Sequence, residues 1–322
     1  MTVLISGSIA MDTVLSSPFP FALDAVQIAT QRLAVSYYMP TMTQVWGGCA
    51  ANIAYALKQL GGDPLMMATV GTDAQPYLDR LAALGMRCDY VRTVAGEFTA
   101  KAVILTDNLA QQITGFHPGA MNHAHIQSAA PALKTHAVNW AIVSPDGKEA
   151  MLQRSRELAD AGVQFIADPG QAMPIMAAAD IEALIHGAAL LALNEHEAVM
   201  LESALRCTVA QLSERLPIVV TLGNAGLTLW ERGQPRNLPA VKGVVAVDPT
   251  GCGDSLRGAV LHALTLGWTL YNALKLGNLM GAHKVQHAGG QGYTVSMDTL
   301  KTLWTQHYGD AFPAPHQPNS VT

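Results

Sequence analysis

Short apolar runs alternate with helix-spaced apolar residues along most of this chain. Val3-Leu-Ile-Ser-Gly-Ser-Ile9 is a brief apolar run ending in small residues, the pattern of a strand buried on both faces. Between Cys49 and Leu60, the residues Ile53, Ala56, Leu57 and Leu60 fall at helical spacing, and Gly61-Gly62 follows as a helix stop. Strand-like Leu65–Val70 then precedes helix-like Pro76–Leu84, Ala137–Val143 precedes Lys148–Ala161, and Val163–Ala167 precedes Ile175–Ile185. Leu190–Leu193 precedes Glu195–Leu205, and Pro217–Leu222 leads to a turn at Gly223–Gly226. From Cys252 onward the pattern is mostly helical. The alternation predicts an α/β fold, a doubly wound and mostly parallel sheet flanked by helices.

Two segments break the rhythm. Thr13–Trp46 is too long for an ordinary strand-to-helix connection. Glu97–Pro118 reads as a hairpin turning at Asp107-Asn108. Together they predict a small β-sheet lid over the carboxyl edge of the main sheet, where open α/β sheets bind ligands. The expected division is a large α/β domain from 1–12, 47–96 and 119–310, the lid from 13–46 and 97–118, and a loose tail from 311–322.

Composition narrows the class. Of 322 residues, 50% are apolar and 13% charged, so a sizeable core is expected and disorder is excluded. The net charge of -5 and the scattered basic residues argue against a nucleic-acid or anionic-membrane partner. Long uncharged stretches are broken by Pro, Gly, Gln, Asn and His, and none gives the run of roughly 20 apolar residues that a spanning helix needs. The N-terminus lacks a basic leader segment. Cys49, Cys88, Cys207 and Cys252 are widely spaced without a CxxC, which indicates neither a zinc ribbon nor a disulfide framework. A reduced cytoplasmic protein is expected.

The densest chemical signal is Val245-Ala-Val-Asp-Pro-Thr-Gly-Cys-Gly-Asp254, a strand-like run feeding a glycine turn that opens an apolar helix. Gly251 and Gly253 let backbone N–H groups converge at a helix N-terminus, which makes an anion cradle. Asp254 would repel a phosphate there unless it meets a hydroxyl about to attack that phosphate, as a general base does. On spacing alone, Asp248 and Asp254 also suit a turn cap and a helix cap. Neither GxxxxGK[ST] nor GxGxxG is present, so this is no Walker loop or dinucleotide fingerprint.

Asp248-Pro-Thr-Gly-Cys-Gly-Asp254 resembles the DTxGAGD signature of the ribokinase-like (phosphofructokinase B) family of carbohydrate and nucleoside kinases. Gly47-Gly-Cys-Ala-Ala-Asn52-Ile-Ala54, followed by Gly61 and Gly71, resembles the family's other, glycine-rich signature. The resemblance spans roughly residues 1–305. Pro249 and Cys252 depart from the usual Thr and Ala, and Cys252 suggests sensitivity to thiol reagents. The resemblance implies a nucleotide-binding large domain, ATP and Mg²⁺ as cofactors, and Asp254 as the catalytic base. It likewise implies an anion hole from the amides of Gly251, Cys252 and Gly253 onward.

By the same resemblance, Asn194-Glu-His-Glu197 matches the NxxE motif, in which Glu197 acts on Mg²⁺ through its waters; without it, the four residues suit a helix cap. Thr221-Leu-Gly223-Asn-Ala-Gly226 resembles the TxGxxG turn along the ATP phosphates, and Asn278 falls beside the ATP base. Asp248, Thr250 and the Gly289-Gly290 region correspond to a monovalent-cation (K⁺) loop in some relatives. Asp12, Gly48 and Asn52 match positions that bind sugar hydroxyls, a task suited to an acceptor, a close-approach turn and an amide.

The acceptor is expected to be a purine nucleoside, adenosine foremost, phosphorylated at its 5′-hydroxyl. The lid segments carry Phe19, Phe21, Tyr37, Tyr38, Trp46, Phe98 and Phe116, faces on which a base can stack. Residues 13–46 offer only Arg32 as a cation for a phosphosugar. Phe116–Met121, Ala167–Pro174 and Asp248–Asp254 most resemble the bacterial adenosine-kinase-like branch. A ribose- or fructose-type sugar kinase is the alternative, and a non-catalytic nucleoside or sugar sensor is a second; Asp254 speaks against the sensor. A nucleotide-dependent oxidoreductase is disfavoured, because Gly7–Asp12 lacks the glycine fingerprint. A monomer, or a homodimer joined through the lid, is expected.

Overall fold

The computed structural model describes residues 1–21, 36–109 and 111–314. Its strands are β1 (Thr2–Ser6), β2 (Ala10–Ser16), β3 (Thr41–Gly47), β4 (Asp63–Val70), β5 (Arg87–Thr93), β6 (Lys101–Thr106) and β7 (Gln112–His117). They continue with β8 (Val138–Val143), β9 (Gln164–Ala167), β10 (Leu190–Asn194), β11 (Ile218–Thr221), β12 (Leu227–Glu231) and β13 (Gln234–Leu238). The α-helices are α1 (Cys49–Gln59), α2 (Gln75–Ala83), α3 (Ala130–Thr135), α4 (Lys148–Asp160), α5 (Ala178–Ile185) and α6 (Glu195–Leu205). After them come α7 (Val209–Leu212), α8 (Cys252–Thr265), α9 (Leu270–Lys284) and α10 (Met297–Tyr308).

Nine strands form one sheet in the order β13-β12-β11-β10-β9-β8-β1-β4-β5. From β11 to β5 every pairing is parallel, while β12 and β13 add an antiparallel hairpin at one edge. Alternate residues of the apolar strands serve two cores. Val3 and Ile5 join a core with α1, α2, α8, α9 and α10, whereas Leu4 joins a second core with α4, α5 and α6. A strand buried on both faces has no place for polar alternation, which is why the centre of β1, Val3-Leu4-Ile5, is apolar at every position.

The lid is a separate four-stranded sheet in the order β3-β2-β6-β7. The Glu97–Pro118 hairpin appears as β6 and β7, paired antiparallel across the turn. β2 starts at Ala10 and pairs with both β3 and β6, so Asp12 lies on the small sheet rather than on a connection leaving the large one. Residues 22–35 of the expected lid, including Arg32, lie outside the described residues, as do tail residues 315–322. The nearer part of the tail is not loose, for Phe312 packs edge-on to Trp268 and Trp304.

Two local expectations are corrected. Val245–Val247 is not a strand: Val245 and Val247 are exposed, and the loop is fastened by Val247 and Asp248 N–H groups donating to the Val285 carbonyl. The Ile175–Ile185 helix begins only at Ala178, because Gly170–Ile175 forms a 3₁₀ turn containing Pro174.

Candidate active site

Helices α1 and α8 cross in close contact, and that crossing assembles the site. Gly258 is the point of approach, since a Cβ there would lie 2.6 Å from the Ile53 carbonyl. One turn earlier on α8 is Asp254, and one residue earlier on α1 is Asn52. The Asn52 side-chain Nδ2 donates to Asp254 Oδ2 across 2.9 Å. Asn52 is itself buried, and its Oδ1 accepts from Gln291 Nε2 at 3.1 Å. Gln291 also donates to the Tyr77 hydroxyl, which donates to the Gly47 carbonyl. A chain of hydrogen bonds thus runs from the start of α8 through α1 to the end of β3.

Asp254 is half-buried, and burial pushes its carboxyl up to about 6, against the opposing effects of the Asn52 amide and the Arg257 charge. A carboxylate tuned toward neutrality is suited to taking a proton from a hydroxyl. Gly251 caps the helix at φ 74, a left-handed conformation that a side chain would strain. In the first turn the Cys252 N–H donates to the Pro249 carbonyl. The N–H groups of Gly251, Gly253 and Asp254 find no backbone acceptor among the described residues, and these are the free donors of the cradle. Cys252 therefore contributes position more than a free amide. Its thiol, free and partly exposed, is pushed up to about 11, chiefly by burial.

Beneath the cradle is a buried ion pair that sequence reasoning missed. Arg257 Nη2 donates to Asp168 Oδ1 at 2.7 Å, and Nε lies 2.5 Å from Oδ2. Burial works against the guanidinium charge, but the Asp168 carboxylate outweighs it and raises the Arg257 pKa. The Arg257 Nη1 side lies against Gly253, and Arg257 also feels the carboxylates of Asp254 and Glu197. The sequence signal was slight: an Arg four residues after Gly253, and an Asp just past β9 inside the Ala167–Pro174 run, neither marked as a partner of the other.

Glu197 stands in the first turn of α6. Asn194 caps that helix: its Oδ1 accepts from the Glu197 N–H, while its own N–H and Nδ2 donate to the two Glu197 oxygens. Burial, then the Asp168 charge, raises the Glu197 pKa. Each oxygen keeps a lone pair, so this lone carboxylate fits Mg²⁺ held through its waters and phosphate oxygens, not a cage of protein ligands. The described residues contain no group of three or more His, Cys, Asp or Glu side chains arranged for a metal.

Thr221 ends β11 in register with Asn194, and Gly223 and Gly226 make the turn that follows. The partly exposed Asn278 amide donates to the Pro239 carbonyl and the Tyr308 hydroxyl. Gly48 is the N-cap of α1. Asp12 Oδ1 accepts from the Ala102 N–H at 3.0 Å, and burial raises its pKa. Its other oxygen faces Gly47, the far end of the hydrogen-bonded chain from Asp254. Of the lid aromatics, Phe19, Tyr38, Phe98 and Phe116 are exposed, while Trp46 packs on Tyr77 and Phe21 on Tyr37. A cavity of about 250 Å³ between the lid strands is lined by Phe98, Thr99, Lys101, Val103 and His117.

The cation loop is filled differently from expectation. Asp248 Oδ1 accepts from the Thr250 N–H and Oδ2 from the Gly289 N–H. The Asp248 carbonyl accepts from the Lys284 ammonium at 2.7 Å. These donors do not fit a free monovalent cation on Asp248.

A mostly parallel sheet with a glycine turn opening a helix, a buried carboxylate beside it and a separate small sheet is the arrangement of a ribokinase-like phosphotransferase acting on a hydroxyl acceptor. Residues 21–296 match the model of the pfkB family of carbohydrate kinases, and the chain belongs to that family. It is 28% identical over 275 residues to a nucleoside kinase of Methanocaldococcus jannaschii, covering 84% of this chain and 89% of that protein. It also resembles the nucleoside kinase of Burkholderia thailandensis in complex with inosine, at 39% identity and TM-score 0.84, over 96% of this chain and 99% of that one. The same enzyme in complex with ADP-inosine matches at 37% identity and TM-score 0.84, over 99% of this chain and 100% of that one. No helix among the described residues is long and apolar enough to cross a membrane.

Proposed function

We propose that this chain is an ATP-dependent nucleoside kinase that phosphorylates the 5′-hydroxyl of a purine nucleoside, adenosine and inosine being the first candidates. The reading is carried by the Asn52–Asp254 contact at the cradle, in a chain 39% identical to a nucleoside kinase solved with inosine. Asp12, with Gly48 at the nearby start of α1, holds the ribose hydroxyls so that the 5′-oxygen lies in line with the γ-phosphate. Asn52, enclosed under Asp254, serves mainly to aim the carboxylate, a role different from the sugar contact first expected of it. Asp254 accepts the 5′-hydroxyl proton as the bond from that oxygen to the γ-phosphorus forms and the bond from phosphorus to the bridging oxygen breaks, ADP leaving. The free amides of Gly251, Gly253 and Asp254 take up charge on the transferring group. Glu197 would hold Mg²⁺ through its waters, and the ion, when bound, neutralises phosphate charge. Asn194, Thr221, Gly223 and Gly226 line the phosphate path at the ends of β10 and β11. Closure of the lid keeps water from the γ-phosphate.

The deciding experiment offers a panel of nucleosides and sugars with Mg·ATP and follows ADP release. Purine nucleosides should give the highest kcat/KM. A higher value for ribose or fructose would replace this reading with that of a sugar kinase, and acceptor binding without turnover would make the chain a sensor.

A further inference from the structure

We infer that Lys284 is a tethered cation of the anion loop: its ammonium takes, from inside the chain, the place of a free monovalent ion, so that phosphoryl transfer needs no added potassium. The inference rests on the kinase reading above.

Lys284 is the last residue of α9 and is fully buried. Its Nζ donates to the Asp248 carbonyl at 2.7 Å and to the His287 carbonyl at 3.1 Å. No carboxylate among the described residues comes within 4.0 Å of it, so this is a buried cation held by backbone oxygens and not by an ion pair. Burying an ammonium is costly, and lysine is almost never fully enclosed unless something compensates. The compensation here is the kind an alkali ion receives, carbonyl dipoles from loops that the cation draws together. The carboxyl end of α9 adds its own negative potential.

The two carbonyls belong to the loops that frame the cradle. Asp248 leads into Gly251, and His287 leads through Gly289 to Gly290, and the Gly290 backbone packs against Gly251. The Val247 and Asp248 N–H groups bind the Val285 carbonyl, the residue next to Lys284. Asp248 has its pKa lowered by the Thr250 and Gly289 amides and by the Lys284 charge, against burial as the largest single effect. The ammonium therefore fixes both loops and places a positive charge below the donors that receive phosphate. It touches neither ATP nor the acceptor, which makes Lys284 a positioning residue.

The test measures initial rates with Mg·ATP and inosine, together with thermal melting, in choline, lithium, potassium or ammonium chloride at equal ionic strength. The wild-type protein should turn over at rates within about twofold across these salts, with no rise in Tm in potassium over choline. Lys284→Ala, which opens the space of the ammonium, should lose at least about tenfold in kcat in choline. Potassium or ammonium should restore much of that loss and raise the variant's Tm, and lithium should do neither. Activation of the wild type by potassium beyond about threefold overturns the inference. So does a variant as fast as the wild type in choline, or one equally slow in every salt, since a mere brace cannot be replaced by an ion. Should the variant fail to fold, the wild-type salt series decides alone. Absence of ADP release in all salts with every acceptor would instead defeat the kinase reading, and the melting series would still report on the cation.

Discussion

Asn52 on α1 and Asp254 on α8, 202 residues apart in sequence, meet across 2.9 Å one turn from the close approach of the two helices at Gly258. The contact restrains one oxygen of the Asp254 carboxylate, and the Cys49 side chain is a second hydrogen-bonding neighbour of the same group. Because burial sets its pKa near 6, the rate should rise with pH along a limb centred near that value, as the carboxyl loses the proton that blocks it. Asp254→Asn keeps the shape and the acceptor for Asn52 but cannot take a proton. Its kcat should fall by at least about 10²-fold with KM for ATP little changed. Near-normal turnover by this variant would sink the general-base assignment.

The same burial has a signature in stability. A carboxyl whose pKa is raised from 3.8 to about 6 binds its proton more tightly in the folded chain than in the unfolded one. Its contribution to stability is therefore greatest at low pH and is lost as pH rises through 6. Asp254→Asn, free of that titration, should melt higher than the wild type at about pH 7.5, with the gap narrowing toward about pH 5. A gap that widens on acidification would show that the carboxylate is stabilised, not strained, by its surroundings.

Removing one partner of the Asp168–Arg257 pair should be far worse than removing both. Arg257→Met leaves the Asp168 carboxylate buried without its cation and should cost about 3–5 kcal/mol. Adding Asp168→Asn to it should recover part of that loss. Urea unfolding of the two single variants and the double variant measures the coupling, and simple additivity would contradict the pair as drawn.

How legible all this was depends on the range of the forces involved. The parallel sheet could be read because a strand covered on both faces must be apolar, as Val3–Ile5 and Leu190–Leu193 are. Edge strands carry no such mark: β5 and β13 are largely polar and escaped notice, and Val245–Val247 looked like a strand while lying exposed with no neighbour to pair with. The cradle was visible because backbone convergence at Gly251 and Gly253 is a local demand. Partners brought in by tertiary packing were not: Gln291, Tyr77, Arg257 and Lys284 carry no local pattern that distinguishes them. Lys284 changed the outcome most, since the Asp248 loop looked like an ion site until the ammonium on its carbonyl was seen.

The lid should decide the acceptor. Tyr38 and Phe116 present exposed rings on or beside the small sheet, and Asp12 stands on β2 with one oxygen held by the Ala102 amide. A ring stacked on a nucleoside base is worth about 1–3 kcal/mol, and a free sugar has no base to lose. Phe116→Ala and Tyr38→Ala should therefore lower kcat/KM for inosine and adenosine by roughly five- to a hundredfold and leave any turnover of ribose nearly unchanged. Asp12→Ala should act on both classes alike, because every acceptor offers hydroxyls, raising the acceptor KM by about 1–3 kcal/mol in binding while KM for ATP stays put. The two patterns are separable in one set of rate measurements. Equal losses on ribose and inosine in the aromatic variants would mean that these rings shape the lid without touching a base, and an ATP defect in Asp12→Ala would put the sugar at the other end of the cleft.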